Sequence, residues 1–115
     1  MSVLIVDDHA RFRARARRLL EAEGYDVVGE AGDGAAGLAA AAELEPDVVL
    51  LDVHLPDGDG FELAECFAEA AGRPIVVLTS SLETEDVASL LPGSAARGFV
   101  PKDQLSGHAL AAVLA

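Results

Sequence analysis

Two kinds of hydrophobic pattern alternate along this chain. Short, mostly apolar runs recur at 3–6 (VLIV), 26–31 (DVVGEA), 48–51 (VVLL), 75–78 (IVVL) and 98–101 (GFVP), each bounded by turn or polar residues. Runs of this length and setting read as strands, and the fully apolar ones as strands buried on both faces. Between them the apolar residues fall at helical spacing. Phe12, Ala16, Leu19 and Leu20 form one stripe of a helix over 10–23, with Gly24 as its stop. Asp33 is placed to cap a helix over 34–44, and Pro46 lies just past its end. Leu63, Cys66, Phe67 and Ala70 make the buried stripe of a helix over 60–71, closed by Gly72. A weaker helix is read over 84–91, stopped by Pro92-Gly93, and a last one over 105–114 carries Leu105, Ala109, Ala112 and Val113 on one side.

Five strands alternating with five helices predict an α/β, flavodoxin-like (βα)5 three-layer sandwich around a parallel sheet with right-handed crossovers. The expected strand order is 2-1-3-4-5, with the less apolar second strand at the edge. The first and third strands then lie side by side at the point where the order reverses, and open parallel sheets hold ligands outside the carboxyl ends of their strands. Asp7 and Asp8 follow the first strand and Asp52 follows the third, so three acids face one crevice. No repeat, linker or low-complexity tract divides the chain, and residues 1–115 are read as one domain.

Composition narrows the function. The formal charge of −12 argues against direct nucleic-acid binding, which needs clustered cations on phosphate. Five of the eight basic residues, Arg11, Arg13, Arg15, Arg17 and Arg18, share one window, either as a solvated helix face or as a dock for an acidic surface. No run approaches a membrane span, and MSVLIV lacks the flanks of a signal peptide. The single cysteine, Cys66, is expected to be a small buried residue, and a reducing, cytoplasmic setting is expected.

Three carboxylates in one crevice repel one another unless a cation intervenes, and an all-oxygen set suits a hard ion such as Mg²⁺. Lys102 follows the fifth strand and Thr79 the apolar run of the fourth, adding an ammonium and a hydroxyl. Such a set suits a phosphoryl group attacked in line by a carboxylate.

With LIVDDH (4–9), VVLLDVHLPDGDGFEL (48–63), IVVLTSS (75–81) and GFVPKDQL (98–105) in this order, the whole chain resembles the receiver domain of bacterial two-component response regulators. The segments DDH and GFVPKDQL lean towards receivers of the NarL/FixJ type. The resemblance implies that Asp52 is the phosphoacceptor for a sensor histidine kinase in a phosphorelay. It implies that Asp8, Asp52 and the backbone carbonyl of His54 bind Mg²⁺, with Asp7 acting through water. Lys102 would contact the phosphoryl oxygens and Asp52. Thr79 and the Ser80 N–H would close on the phosphoryl group, and Phe99 would turn inward on activation. Catalysis would extend only to the domain's own phosphorylation and dephosphorylation. An output or DNA-binding domain outside this chain and a phosphorylation-dependent homodimer are the partners this implies.

The chain departs from the family pattern in places. Pro92-Gly93 truncates the fourth helix, the segment between Asp52 and Thr79 is short, and Lys102 is followed by Asp103, so no cis bond is expected there. The side chains of His54, His9 and His108 are read as rim, surface or packing groups. Two rival functions remain open. A haloacid-dehalogenase-type phosphatase uses a related aspartate, Mg²⁺ and lysine set, but wants a second aspartate at the position of His54. A phosphorylation-independent interaction module would share the fold, but usually lacks part of the set retained here. No nucleotide-binding G-x-x-x-x-G-K-[ST] loop is present, and residues 57–60 lack the remaining ligands of a calcium loop.

Overall fold

The computed structural model describes residues 1–81 and 91–115. Five parallel strands form the sheet: β1 (Ser2–Val6), β2 (Asp26–Ala31), β3 (Val48–Asp52), β4 (Ile75–Ser80) and β5 (Gly98–Pro101). Their order is β2-β1-β3-β4-β5, as the pattern predicts, with β2 at an edge. The described helices are α1 (Ala10–Ala22), α2 (Gly34–Leu44), α3 (Gly60–Ala68) and α4 (Gly107–Leu114). The helix read over 84–91 lies, apart from Leu91, outside the described residues. Leu91 opens a 3₁₀ turn, Leu91–Gly93.

Strand alternation sorts the core into two layers. Val3, Ile5, Val48, Leu50, Val77 and Val100 face α1 and α4, where Phe12, Ala16, Leu20 and Leu110 cover them. Leu4, Val6, Val49, Leu51, Val76 and Leu78 face α2 and α3, packed by Ala41, Ala64 and Phe67.

Two helix faces differ from the pattern. In α3 the core-facing residues are Gly60, Ala64 and Phe67, with Leu63 and Ala70 only partly buried and Cys66 exposed. Asp59 caps this helix by accepting the Phe61 N–H at 2.7 Å. That start aims 60, 64 and 67 at the sheet and leaves Cys66 about 120° away at 3.6 residues per turn. The helix stops at Ala68 rather than 71, as befits the short connection. In α4 the cap is Ser106, which accepts the Ala109 N–H at 2.9 Å. Leu105 is therefore buried from an extended residue ahead of the helix, Leu110 is the core residue of α4, and Ala112 is exposed. A 3₁₀ turn, Lys102–Gln104, precedes Leu105, the helix begins at Gly107 rather than at 105, and the peptide bond after Lys102 is trans.

Candidate functional site

Register brings the site together. β1 and β3 run in step from Val3 and Val48 to Val6 and Leu51, so Asp7 and Asp52 come level at the strand ends. Asp52 is paired with Thr79 on β4, and Thr79 with Val100 on β5. Side chains two residues apart on a strand share a face. Asp7, Asp52, Thr79 and Lys102 each lie two residues beyond Ile5, Leu50, Val77 and Val100, and continue that core layer to its polar end. The three strand-borne groups are sealed from solvent: Asp7 is 0%, Asp52 3% and Thr79 1% exposed.

Lys102 binds the acids together. Its Nζ lies 2.6 Å from Asp7 Oδ2 and 3.3 Å from Asp52 Oδ2. Asp7 Oδ2 has no aligned hydrogen bond, so the close ammonium serves it as an ion-pair partner. The ammonium also sits 4.8 Å from the centroid of the Phe12 ring, a cation–π contact that holds it over the pocket. Asp52 Oδ1 accepts the His54 N–H at 3.2 Å. Burial first, and the Asp7 charge second, push the Asp52 carboxyl above the usual carboxylate range, against the pull of Lys102 and that N–H.

The backbone behind Asp52 is fixed on both sides. The Val53 N–H donates to the Thr79 carbonyl at 3.0 Å, and the Gly60 N–H to the Val53 carbonyl at 2.8 Å. A Cβ on Gly60 would stand 2.6 Å from Val53 Cα and 2.7 Å from the Asp52 carbonyl, so only glycine fits this close approach. Arg13 Nη1 donates to the Asp7 carbonyl at 2.6 Å while Arg13 Nε pairs with Glu30 at 3.3 Å. Arg13 and Arg17 are thus held by Glu30 on β2, and Arg11, Arg15 and Arg18 remain exposed on α1.

Asp8 joins from the solvent side, and so does a residue the sequence reading left outside the site. His9 is a surface residue, as expected, and its Nδ1 also lies 3.0 Å from Asp7 Oδ1 and 3.1 Å from Asp8 Oδ1. The signal available in the sequence was its adjacency to two acids at a strand end, rather than any helical ligand spacing. Asp7, Asp8, His9 and Asp52 each offer one ligand atom, all within 4.8 Å of one another. Three carboxylates against one lysine leave excess negative charge, so this donor set fits a divalent cation. The side chains of His54 and His108 are exposed.

Thr79 Oγ1 is buried and has no hydrogen-bond partner among the described residues. Ser80 is buried beside it in sequence, on the opposite face. Phe99 pairs with Leu78 and packs, half-buried, against the α2–α3 layer. Thr79 and Phe99 therefore lie on opposite faces of the sheet.

Comparison with known proteins agrees with this architecture. Residues 3–114 match the response regulator receiver domain family. The chain is 36% identical over 110 residues to protein-glutamate methylesterase/protein-glutamine glutaminase 3 of Hahella chejuensis, covering 94% of this chain and 32% of that protein. It is 44% identical over 78 residues to the transcriptional regulatory protein PdtaR of Mycobacterium tuberculosis, covering 68% of this chain and 38% of that one. The chain thus spans about a third of the length of these curated relatives. Among solved structures it resembles the signal receiver domain of the response regulator NarL from Mycobacterium tuberculosis, with a TM-score of 0.85, 35% identity, and coverage of 98% of this chain and 92% of that one. Sheet order, the acids at its carboxyl edge and the match along nearly the whole sequence lead to one conclusion: this chain belongs to the response regulator receiver domain family, the signalling domains of two-component systems.

Proposed function

We propose that this domain is a phosphorylation-controlled switch in which Asp52 accepts a phosphoryl group from the phosphohistidine of a sensor kinase. The carrying observation is the meeting of Asp7, Asp52, Thr79 and Lys102 on one face at one end of the sheet, with Lys102 Nζ 3.3 Å from Asp52 Oδ2. An Asp52 oxygen forms the new O–P bond as the P–N bond to the donor imidazole breaks, and the donor nitrogen keeps the bonding pair. Lys102, already between two carboxylates, is positioned to follow the charge onto the phosphoryl oxygens. Asp8, Asp52 and the His54 carbonyl, with Asp7 through water, would hold a Mg²⁺ ion that offsets the negative charge of carboxylates and phosphoryl oxygens alike.

The buried Thr79 hydroxyl supplies the response. Without a partner among the described residues it carries a desolvation cost, and a phosphoryl oxygen on Asp52, its register neighbour, offers an acceptor. The N–H of Ser80 adds a second donor. Phe99 lies on the other face, so Thr79 acts on it through the backbone of the β4 end rather than by contact. Adding the dianion favours whichever conformer closes this set, by its differential affinity for the two.

Kinase and output partners follow from the same reading. The relatives' names, a transcriptional regulator and a methylesterase, support an output carried elsewhere in a longer protein or by a separate partner. The domain acts in the cytoplasm, where such kinases present their phosphohistidine; among the described residues no helix is long and apolar enough to cross a membrane.

Incubation with Mg²⁺ and acetyl phosphate tests the proposal. One base-labile phosphoryl group per chain is expected, lost with excess chelator and in Asp52→Asn. Sustained release of phosphate from small phosphomonoesters would instead favour the phosphatase reading.

A further inference from the structure

The His9 imidazole occupies a place that the phosphoacceptor chemistry does not require. Its Nδ1 stands 3.0 Å from Asp7 Oδ1 and 3.1 Å from Asp8 Oδ1, and Lys102 Nζ approaches the same nitrogen at 3.5 Å. We propose that His9 Nδ1 is a direct ligand of the divalent ion in the Asp7, Asp8 and Asp52 pocket, making this receiver selective for Mn²⁺ over Mg²⁺. The proposal rests on the metal-dependent reading above and deepens it by naming the ion.

The distances fit such a role. Ligands about 2.1 Å from an ion in octahedral geometry stand about 3.0 Å apart at adjacent corners. The 3.1 Å separation from Nδ1 to Asp8 Oδ1 matches that edge, while Asp7 Oδ1, 3.0 Å from the same nitrogen, stays beside the ion and reaches it through water. The charges are also partitioned. Lys102 takes the Oδ2 atoms of Asp7 and Asp52, while the ring addresses Oδ1 of Asp7 and Oδ1 of Asp8.

The backbone holds the ring in place. The His9 N–H donates to Asp7 Oδ1 at 2.8 Å, and its carbonyl accepts the Arg13 N–H at 3.1 Å as α1 begins. The His9 side chain is 65% exposed, so an ion can arrive from solvent directly at the nitrogen.

A nitrogen donor changes which ion is held. Mg²⁺ is a hard ion that favours oxygen and keeps its waters. Imidazole favours first-row transition ions, with affinity rising from Mn²⁺ towards Cu²⁺. Three carboxylates and one imidazole therefore tilt the pocket towards Mn²⁺ without preventing Mg²⁺ from binding. If His9 merely hydrogen-bonds to the acids, it should affect both ions alike.

Pulsed electron paramagnetic resonance on the protein loaded with Mn²⁺ alone separates these cases. The expected result is a ¹⁴N modulation from directly bound imidazole, absent in His9→Ala and in His9→Asn, the second of which supplies a good helix-capping side chain at the α1 N-cap. Titration should show Mn²⁺ affinity falling roughly tenfold in both variants, on the scale of losing a group that supports a metal site, with a smaller fall for Mg²⁺. Bound Mn²⁺ without ¹⁴N modulation in the wild type, or equal losses for the two ions, overturns the His9 assignment and leaves the acidic pocket standing. Failure of Mn²⁺ to bind, or binding undiminished in Asp8→Asn and Asp52→Asn, overturns both this inference and the metal-dependent reading beneath it.

Discussion

Asp52 is held in a setting that disfavours its charge. Burial and the neighbouring Asp7 raise its pKa, so the folded carboxyl keeps a proton to higher pH than the unfolded one, whose value is about 3.9. Folding therefore takes up protons between those two values, and this contribution to stability is lost as pH rises through the folded value. In metal-free protein, Asp52→Asn should flatten that fall and raise the melting midpoint at pH 7. Thermal melts of both proteins across pH 4–8, in chelator, check the difference. Thr79 shows a related conflict between stability and function. Thr79→Val removes a buried hydroxyl without a partner among the described residues and should stabilise the resting domain by about 1 kcal/mol. The same change should abolish the phosphorylation-dependent shift in Phe99, followed by ¹⁹F labelling of the ring. Stability lost in Thr79→Val, or an unaltered Phe99 response, would contradict the role given to that hydroxyl.

At the scale of elements, the site depends on how α3 leaves β3. Alanine is the better helix former by about 0.5–1 kcal/mol, so propensity alone predicts that Gly60→Ala stabilises. The close approach to Val53 Cα and the Asp52 carbonyl predicts the reverse, a loss of about 1–3 kcal/mol from overpacking together with slower phosphorylation of Asp52. Urea denaturation and the labelling rate measure the two effects. Helix starts also explain where the sequence misled. The stripes assigned to α3 and α4 were drawn by spacing, but a short helix takes its rotation from its cap. Asp59 and Ser106 set those rotations, so Cys66 and Ala112 emerge at the surface and Leu110 becomes core. By contrast α1 is longer, and Phe12, Ala16 and Leu20 are buried as its periodicity predicts, with Leu19 at the margin. Asp57 had no legible role. Its carboxylate accepts the Gly34 and Ala35 N–H groups at 2.7 and 3.0 Å, tying the turn after β3 to the start of α2 across 23 residues of chain.

At the scale of the whole domain, strand identity was legible because fully apolar runs bounded by turn residues have few other readings. The order of five strands followed from their alternation with helices; that order makes β1 and β3 neighbours, and their register brings Asp7 level with Asp52. Contacts made by long side chains were legible only where the family resemblance implied them, as for Lys102 with Asp52. Lys102 over Phe12 joins the fifth strand's end to the first helix, and His9 turns back onto the acids beside it; no periodicity encodes either. The net charge of −12 and the acids at the carboxyl ends of β1 and β3 predict that cations stabilise the domain. Mg²⁺ at a hundredfold excess over its dissociation constant should add about 2.7 kcal/mol to unfolding, and Asp8→Asn should remove most of that gain. Melts with and without Mg²⁺ decide it. The most direct measurement of the central claim is borohydride trapping of the phosphorylated protein, followed by mass spectrometry of its peptides. Reduction at residue 52 alone, dependent on a divalent ion and on Lys102, is the predicted result. Label on any other residue, or label at Asp52 undiminished in excess chelator, would contradict the account.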